Sequence, residues 1–164
     1  MDPLAQLTLL LEDQSLTRQA QLESICRTIQ QLIPTANLVS LWQFENDGKA
    51  IRSLINFDAQ TNSFNSDILL QQQNYPPYFE AITQEELVVA SDARNHSVTR
   101  CFNNSYFEPL GIFSLLDFIL HQDFKPAGVI CCERKGEMTQ WTNEDIDHIR
   151  MVASLISFCF DLRS

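Results

Sequence analysis

Apolar positions recur at helical spacing near the N-terminus of the chain. Steps of three and four residues separate the apolar side chains of Leu22, Ile25, Cys26, Ile29, Leu32 and Ile33. This pattern predicts one face of an amphipathic helix, with Ser15 as its N-cap and Pro34 at its end. A shorter apolar patch precedes it at residues 4–11, and we expect an additional helical turn there that packs across a neighbouring chain.

A second helical pattern lies near the C-terminus. Thr142 or Asn143 is placed to cap it, and Glu144 and Asp145 follow in the first turn, where the helix dipole favours negative charge. The predicted buried stripe is Ile146, Ile149, Val152, Ala153 and Ile156. Further apolar residues exceed what one sheet face covers and imply a partner helix: Leu155, Phe158, Cys159 and Phe160. Because no glycine or proline follows through Ser164, we predict that this helix continues.

Strand patterns occupy the middle of the chain. Short runs rich in aliphatic and aromatic residues lie at Leu38–Glu45, Ala50–Phe57, Leu87–Ala90, Phe113–His121 and Ala127–Arg134. Residues 46–49, Asn-Asp-Gly-Lys, have the chemistry of a hairpin turn, and residues 122–126 connect the last two runs. In the final run, Val129 and Cys131 point to one face and Ile130 and Cys132 to the other, which predicts a central strand.

The polar segment Asp58–Gln73 shows little periodicity, and we expect a loop there with at most a short helix at Ser66–Gln72. Pro76 and Pro77 then favour a helix start, with Phe79 and Ile82 as its buried residues. The resulting order of elements predicts an α+β domain. Its antiparallel sheet of about five or six strands carries the terminal helices on one face and loops on the other.

Composition narrows the classes of function. A chain of 164 residues is long enough for one sizeable core and too short for two ordinary domains. The net charge of −10 and the presence of only three lysines disfavour binding to nucleic acid, because no basic stripe is available to displace counterions. Its longest apolar stretch, Met151–Phe160, is too short to cross a bilayer, and no secretory signal is visible. We therefore expect a cytoplasmic protein without a membrane partner.

Cysteine and glycine patterns exclude further classes. The five cysteines contain no C-x-x-C pair, which fits neither a disulfide framework nor a zinc site, so no metal is expected. All four glycines stand alone, and therefore neither a dinucleotide fingerprint nor a phosphate-binding loop is present in the sequence.

Four short segments in fixed order carry a family resemblance. They are S-D-A-R-N-H at residues 91–96, S-Y-F-E-P-L-G-I-F-S-L-L-D-F-I-L at 105–120, P-A-G-V-I-C-C-E-R at 126–134 and W-T-N-E-D at 141–145. In this order they resemble a GAF domain. The likeness covers a core of about residues 21–160 within a single domain at 1–164, with 1–14 as an N-terminal extension. It implies a pocket between the open sheet face and the irregular segment at about 75–111.

The resemblance also singles out candidate ligand-binding residues. Arg94 and His96 would meet an anionic or carbonyl group of a small molecule, since a guanidinium offers rigid paired donors. In the alternative, both lie at the surface and bind loop carbonyls. Asp117 is costly in the middle of a strand unless it is paired, and a structural bond to nearby backbone or to Arg100 is preferred over a ligand role. The remaining candidates are Tyr78, Cys101 and Tyr106.

The best-known ligands of the family are not supported by these residues. Bilin-binding GAF domains usually have histidine directly after the attachment cysteine, whereas Phe102 follows Cys101 here. A haem with His96 as axial ligand has no further support, the N-K-x-F-x-D-E signature of cyclic-nucleotide binders is absent, and the cofactor is unknown. A branch of the fold reduces free methionine sulfoxide with cysteines, but Cys131 and Cys132 should point to opposite faces and cannot easily form a disulfide.

The resemblance implies a non-catalytic sensory or regulatory domain. We expect it to bind a small molecule, to form a homodimer through its terminal helices and to transmit the change to a fused downstream output domain of a signalling protein. Histidine kinases, diguanylate cyclases and transcription activators are the expected classes. The alternatives are a ligand-free dimerisation or protein-interaction module and a redox enzyme of the methionine sulfoxide reductase type.

Overall fold

The computed structural model describes residues 1–163. Its main helices are α1 (Pro3–Glu12), α2 (Arg18–Leu32), α3 (Pro76–Gln84) and α4 (Asn143–Cys159). Its strands are β1 (Leu38–Glu45), β2 (Ala50–Asp58), β3 (Ser63–Asn65), β4 (Leu69–Gln71), β5 (Leu87–Ala90), β6 (Ile112–Gln122) and β7 (Lys125–Lys135). The five predicted strands and the α3 and α4 starts are confirmed within a few residues.

All seven strands join one antiparallel sheet. The strand order is β3-β2-β1-β7-β6-β5, and β4 pairs with β2 beside β3. The sheet has one strand more than the upper end of the predicted five or six. The polar segment 58–73 forms β3 and β4 rather than a loop with a short helix at Ser66–Gln72. Backbone pairing along β2 organises this segment, and the ring of Phe64 stacks on Phe57 with centroids 4.7 Å apart.

A separate apolar core covers each face of the sheet. Helices α1, α2 and α4 cover one face, against side chains such as Leu41, Ile130 and Cys132. Helix α3 and the irregular segment after β5 cover the other face, against side chains such as Val129 and Cys131. The central strands are therefore buried on both faces, as the pattern of β7 predicts.

Helix α1 packs within its own chain. Leu7 and Leu11 are buried in the same core as α2 and α4, so the prediction that this patch packs across a neighbouring chain is wrong. The N-cap prediction for α2 is also wrong, because the hydroxyl of Thr17 accepts from the amide of Ala20 at 3.1 Å. Ser15 instead donates its hydroxyl to the Asp13 carboxylate at 2.6 Å.

The connection between β6 and β7 is tighter than the predicted five residues. Only Asp123 and Phe124 lie between the strands, with φ angles of 53° and 63°. Left-handed backbone at both positions is the geometry of a two-residue hairpin turn whose twist matches the strands. The ring of Phe124 is consequently fully exposed.

Helix α4 ends at Cys159, where Phe160 turns to an extended conformation. The Arg18 guanidinium donates to the carbonyls of Asp161 and Leu162 at 2.8 and 3.0 Å, and it stacks on the ring of Phe160. The predicted continuation of the helix is therefore wrong for residues 160–163, and Ser164 lies outside the described residues. Long-range packing with α2, rather than a local stop signal, turns the chain.

Most of the surplus apolar surface of α4 is covered by the same chain. Leu155 and Cys159 pack against the core formed with α1 and α2, and Phe160 is buried. The partner helices that the sequence implies are therefore α1 and α2. Phe158 differs from the others because its side chain is 90% exposed.

The N-cap of α4 can be tested by mutation. Thr142 and Asp145 form a capping box, in which the Thr142 hydroxyl accepts from the Asp145 amide at 3.1 Å. We predict that Thr142→Ala lowers the free energy of unfolding by about 1 kcal/mol, measured by urea denaturation. Ser154→Ala, which removes a hydroxyl bound to the Arg150 carbonyl on the exposed side of α4, should be nearly neutral. Equal losses in the two variants would contradict the role of the capping box.

Candidate functional site

A cavity of about 200 Å³ lies on the sheet face opposite the terminal helices. Its roof is the cover segment, residues 100–110, in which a 3₁₀ turn, a π-helical turn at Asn103–Phe107 and a final α-helical turn follow one another. Its floor comes from β1, β6 and β7. The lining side chains are Trp42, Ile68, Leu70, Tyr75, Tyr78, Phe102, Ser105, Tyr106, Leu115, Cys131 and Glu133.

Aromatic rings form most of the wall. Phe102 stacks on Tyr75 with centroids 4.4 Å apart and meets Tyr78 edge to face at 4.8 Å. On the solvent side, the hydroxyls of Tyr75 and Ser105 are 3.0 Å apart and bridge the start of α3 to the cover segment. The rings therefore fix the shape of the cavity, while this bridge crosses its rim.

Arg94 holds the cover segment in place instead of lining the cavity. Its guanidinium donates to the carbonyls of Ile112 and Phe107 at 2.8 and 3.2 Å, and it stacks 3.9 Å from the centroid of the Phe113 ring. In turn, the Asn103 amide donates to the Arg94 carbonyl at 2.8 Å. The structure thus gives Arg94 the alternative role, in which it binds loop carbonyls.

His96 and Cys101 also lie outside the cavity lining. The Nδ1 atom of His96 accepts from the amide of Val98 at 3.1 Å within a turn. The half-buried thiol of Cys101 contacts the Val98 carbonyl at 3.6 Å, and burial raises its pKa. The next residue along the chain, Phe102, is the one that faces the cavity.

Two buried carboxyl groups lie near the floor on neighbouring strands, each bound by a tyrosine, and of the two only Glu133 lines the cavity. Tyr78 donates its hydroxyl to Asp117 at 2.5 Å, and Tyr106 donates to Glu133 at 2.9 Å. The predicted partners of Asp117, nearby backbone or Arg100, are therefore wrong. Glu133 was missed as a candidate, although the two-residue period of β7 places it on the same face as Cys131.

Burial raises the pKa of both carboxyl groups. Desolvation raises the pKa of Asp117 to about 6, although hydrogen bonds from Tyr78 and Cys131 favour its charged form. Desolvation raises the pKa of Glu133 to about 8, with a further increase from the charge of Asp117 and an opposing effect of the Tyr106 hydrogen bond. At neutral pH, Glu133 therefore keeps its proton and Asp117 is mostly ionised.

Each carboxyl group keeps one oxygen without a hydrogen-bond partner. These oxygens are Oδ1 of Asp117 and Oε2 of Glu133, both on side chains that are almost fully buried. Unpaired polar atoms in such places are costly and are uncommon in proteins. The floor of the cavity therefore has unused capacity to bind a polar group.

A second cavity of about 250 Å³ adjoins the first. The two share Ile68, Tyr106 and Glu133, so the hydrogen bond between Tyr106 and Glu133 lies at the boundary. This second cavity is more polar and contains the ion pair between Lys135 and Asp58, whose Nζ and Oδ2 atoms are 2.6 Å apart.

All five cysteines are free thiols. Cys131 and Cys132 lie in the cores on opposite faces of the sheet, as predicted. Burial raises the pKa of both thiols well above the usual value, with a further contribution from the charge of Asp117. Neither thiol has the lowered pKa that typifies an activated cysteine.

The metal-binding and membrane-spanning features described next are those of residues 1–163. No cluster of three or more histidine, cysteine, aspartate or glutamate side chains within this range is arranged to hold a metal ion. None of its helices combines the length and apolar character needed to span a bilayer.

Known structures share this fold at low sequence identity. The phycocyanobilin-bound GAF domain of a cyanobacterial phytochrome superposes with a TM-score of 0.73 and 13% identity, over 95% of this chain and 90% of that one. The GAF domain of the Acinetobacter phosphoenolpyruvate-protein phosphotransferase gives 0.74 and 12%, over 96% and 90%. Free methionine-R-sulfoxide reductase from Neisseria meningitidis gives 0.68 and 14%, over 96% and 85%.

Sequence comparison identifies the family directly. No curated protein matches the sequence. The family model described as "GAF domain" matches residues 17–160, which is most of the chain. The two-core sheet and the cavity beneath the cover segment agree with that match, and the chain belongs to the GAF domain family.

Proposed function

We propose that this GAF domain senses a small molecule in the aromatic cavity, the space of about 200 Å³ described above. The observation that carries the proposal is a preformed cavity whose lining includes the buried carboxyl group of Glu133, with its Oε2 atom lacking a hydrogen-bond partner. Phe79 and Phe107 are buried outside the lining, and Phe102 forms a wall without filling the space. This arrangement supports a ligand-binding domain over a domain with a vestigial pocket.

The ligand contacts that we propose differ from those first expected. Arg94 is already bound to carbonyls, and His96 is outside the lining, so neither supports the expected anionic ligand. Tyr78 and Tyr106 line the cavity, whereas Asp117 lies behind Tyr78 as its acceptor. We propose that a ligand lies between these tyrosines and Glu133.

A physical route connects the cavity to the terminal helices. Leu115 lines the cavity, and its carbonyl accepts a hydrogen bond from the indole of Trp141 at 3.0 Å. Trp141 directly precedes Thr142, the N-cap of α4. We propose that a ligand which shifts β6 changes the position of α4, since packed elements respond by discrete displacements. We propose that α4 passes this displacement to an output domain within a longer signalling protein. A solved structure with the same fold is likewise one GAF domain of a larger protein.

Blocking the cavity tests the proposed ligand site. Ser105 lines the cavity, whereas its neighbour Asn104 is exposed and does not. We predict that a metabolite which raises the Tm of the wild type also stabilises Asn104→Trp but fails to stabilise Ser105→Trp. A ligand at a hundred times its Kd should contribute about 2.7 kcal/mol to a protein whose site is intact.

Differential scanning fluorimetry against a metabolite panel provides this measurement. Stabilisation that persists in Ser105→Trp would move the site elsewhere. A panel in which nothing stabilises the wild type would favour the alternative of a ligand-free interaction module.

The second proposed property is a homodimer through the helical layer. The side chain of Phe158 on α4 is 90% exposed, and Met151, two turns earlier on the same helix, is 50% exposed. Exposed apolar side chains clustered on one helix favour association. Leu155 is unsuitable as a probe because it packs in the core of its own chain.

We predict that Phe158→Glu shifts the protein from dimer to monomer at micromolar concentration, measured by light scattering. Leu110→Glu is the control, because Leu110 is 51% exposed in the cover segment, on the face of the sheet opposite α4. A wild-type monomer, or a dimer that Phe158→Glu leaves unchanged, would remove this interface.

A further inference from the structure

We propose that the aromatic cavity binds a small organic amine in its protonated form, with the ammonium group donating to Glu133. The inference rests on the proposed function and specifies the chemical class of the ligand. It follows from the charge, the rings and the size of the cavity.

The carboxyl group of Glu133 favours a cation, because a bound ammonium group stabilises its ionised form. Glu133 lines the cavity and is 3% exposed, and its Oε2 atom has no hydrogen-bond partner. Asp117, on the adjacent strand and the same face, adds a second carboxyl group. An ammonium N–H pointing at Glu133 Oε2 would supply the missing donor and offset the charge, and hydrogen bonds between ionised groups are the strong ones.

The walls favour the same class. The faces of Tyr and Phe rings attract cations within about 6 Å, and the attraction is larger when the cation is desolvated. Tyr75, Tyr78, Phe102 and Tyr106 supply such rings around the space. Among the side chains that line it there is no Lys, Arg or His, and Lys135, which lines the adjoining cavity together with Glu133, is paired with Asp58.

The size of the cavity limits the ligand. An engineered protein cavity of about 150 Å³ binds benzene. This cavity, at about 200 Å³, holds one ring and a short aminomethyl group. A tetrapyrrole exceeds it, and the adjoining polar cavity of about 250 Å³ gives room for a polar substituent on the ligand.

Three probes of nearly equal shape separate the possible classes: benzylamine is cationic, benzyl alcohol is neutral and benzoate is anionic. We expect benzylamine to bind the intact protein about tenfold more tightly than benzyl alcohol at pH 8, by isothermal titration calorimetry, with benzoate weakest. Glu133→Gln keeps an acceptor for Tyr106 but removes the charge, and it should abolish the preference for the amine.

The number of protons released gives a readout on the wild type, which is independent of how well any variant folds. Burial raises the pKa of Glu133 to about 8, so binding of an ammonium at pH 7 should displace its proton to buffer. The other titratable groups near Glu133 are Asp117, Tyr78, Tyr106, Cys131 and Cys132. Of these, Asp117 has a pKa of about 6 and is already mostly ionised, while the pKa values of the phenols and thiols are raised. Titrations in two buffers of different ionisation enthalpy should therefore show net proton release.

Failure of this inference is distinguishable from failure of the proposed function. Equal binding of benzylamine and benzyl alcohol, or preference for benzoate, would overturn the amine class, and a preference for the amine without proton release would overturn the role given to a protonated Glu133. Binding of none of the three probes would also overturn it. The comparison of Ser105→Trp with Asn104→Trp then still decides whether the cavity is the ligand site.

Discussion

The hydrogen bond from Tyr78 to the buried carboxyl group of Asp117 is the interaction on which the cavity depends. It joins α3 to the middle of β6, a strand that is covered on both faces. A carboxyl group in such a place is costly without a partner. The second tyrosine bond, from Tyr106 to Glu133, fastens the cover segment to β7 in the same way. The first bond holds α3 and the second holds the cover segment against the sheet, and the cavity lies between them.

The two faces of the sheet have different roles because they are closed differently. The face with α1, α2 and α4 is packed by aliphatic side chains, and its helices end where tertiary contacts require. The other face is covered by the cover segment, whose position is fixed by hydrogen bonds from Arg94. A π-helical turn within that segment brings Ser105 and Tyr106 to the cavity, and such turns are frequent at functional sites. The ligand binding and the helical output that we propose would therefore use β6 and β7 from opposite faces of the sheet.

Elements with a local signal could be predicted from the sequence, and elements fixed at long range could not. The N-cap of α4, predicted at Thr142 or Asn143, and the double-sided pattern of β7 are local, and both predictions are confirmed, the cap at Thr142. Strands β3 and β4 are too short to show a period and form because β2 offers them backbone partners. Helix α4 ends through contacts with Arg18, a residue 143 positions away in sequence. No local pattern reports such a contact.

The candidate site also combines features that the sequence predicts with features that only long-range contacts determine. Its location and two of its lining residues, Tyr78 and Tyr106, follow from the family resemblance. The sequence also marks Arg94 as unusual but cannot show that neighbouring carbonyls already bind its guanidinium. Glu133 could have been found from the two-residue period of β7. Its significance required the three-dimensional neighbourhood, because burial and the proximity of Asp117 produce its altered chemistry.

The most direct test of this account is the titration of Glu133 itself. Carbon-13 NMR of the side-chain carboxyl groups, with Glu133→Gln used to assign the resonance, follows its ionisation in the ligand-free protein. The account predicts a midpoint near pH 8, because burial isolates this carboxyl group from bulk water. A midpoint near the ordinary glutamate value of about 4.3 would show that water reaches the group freely, and it would contradict the buried carboxyl floor.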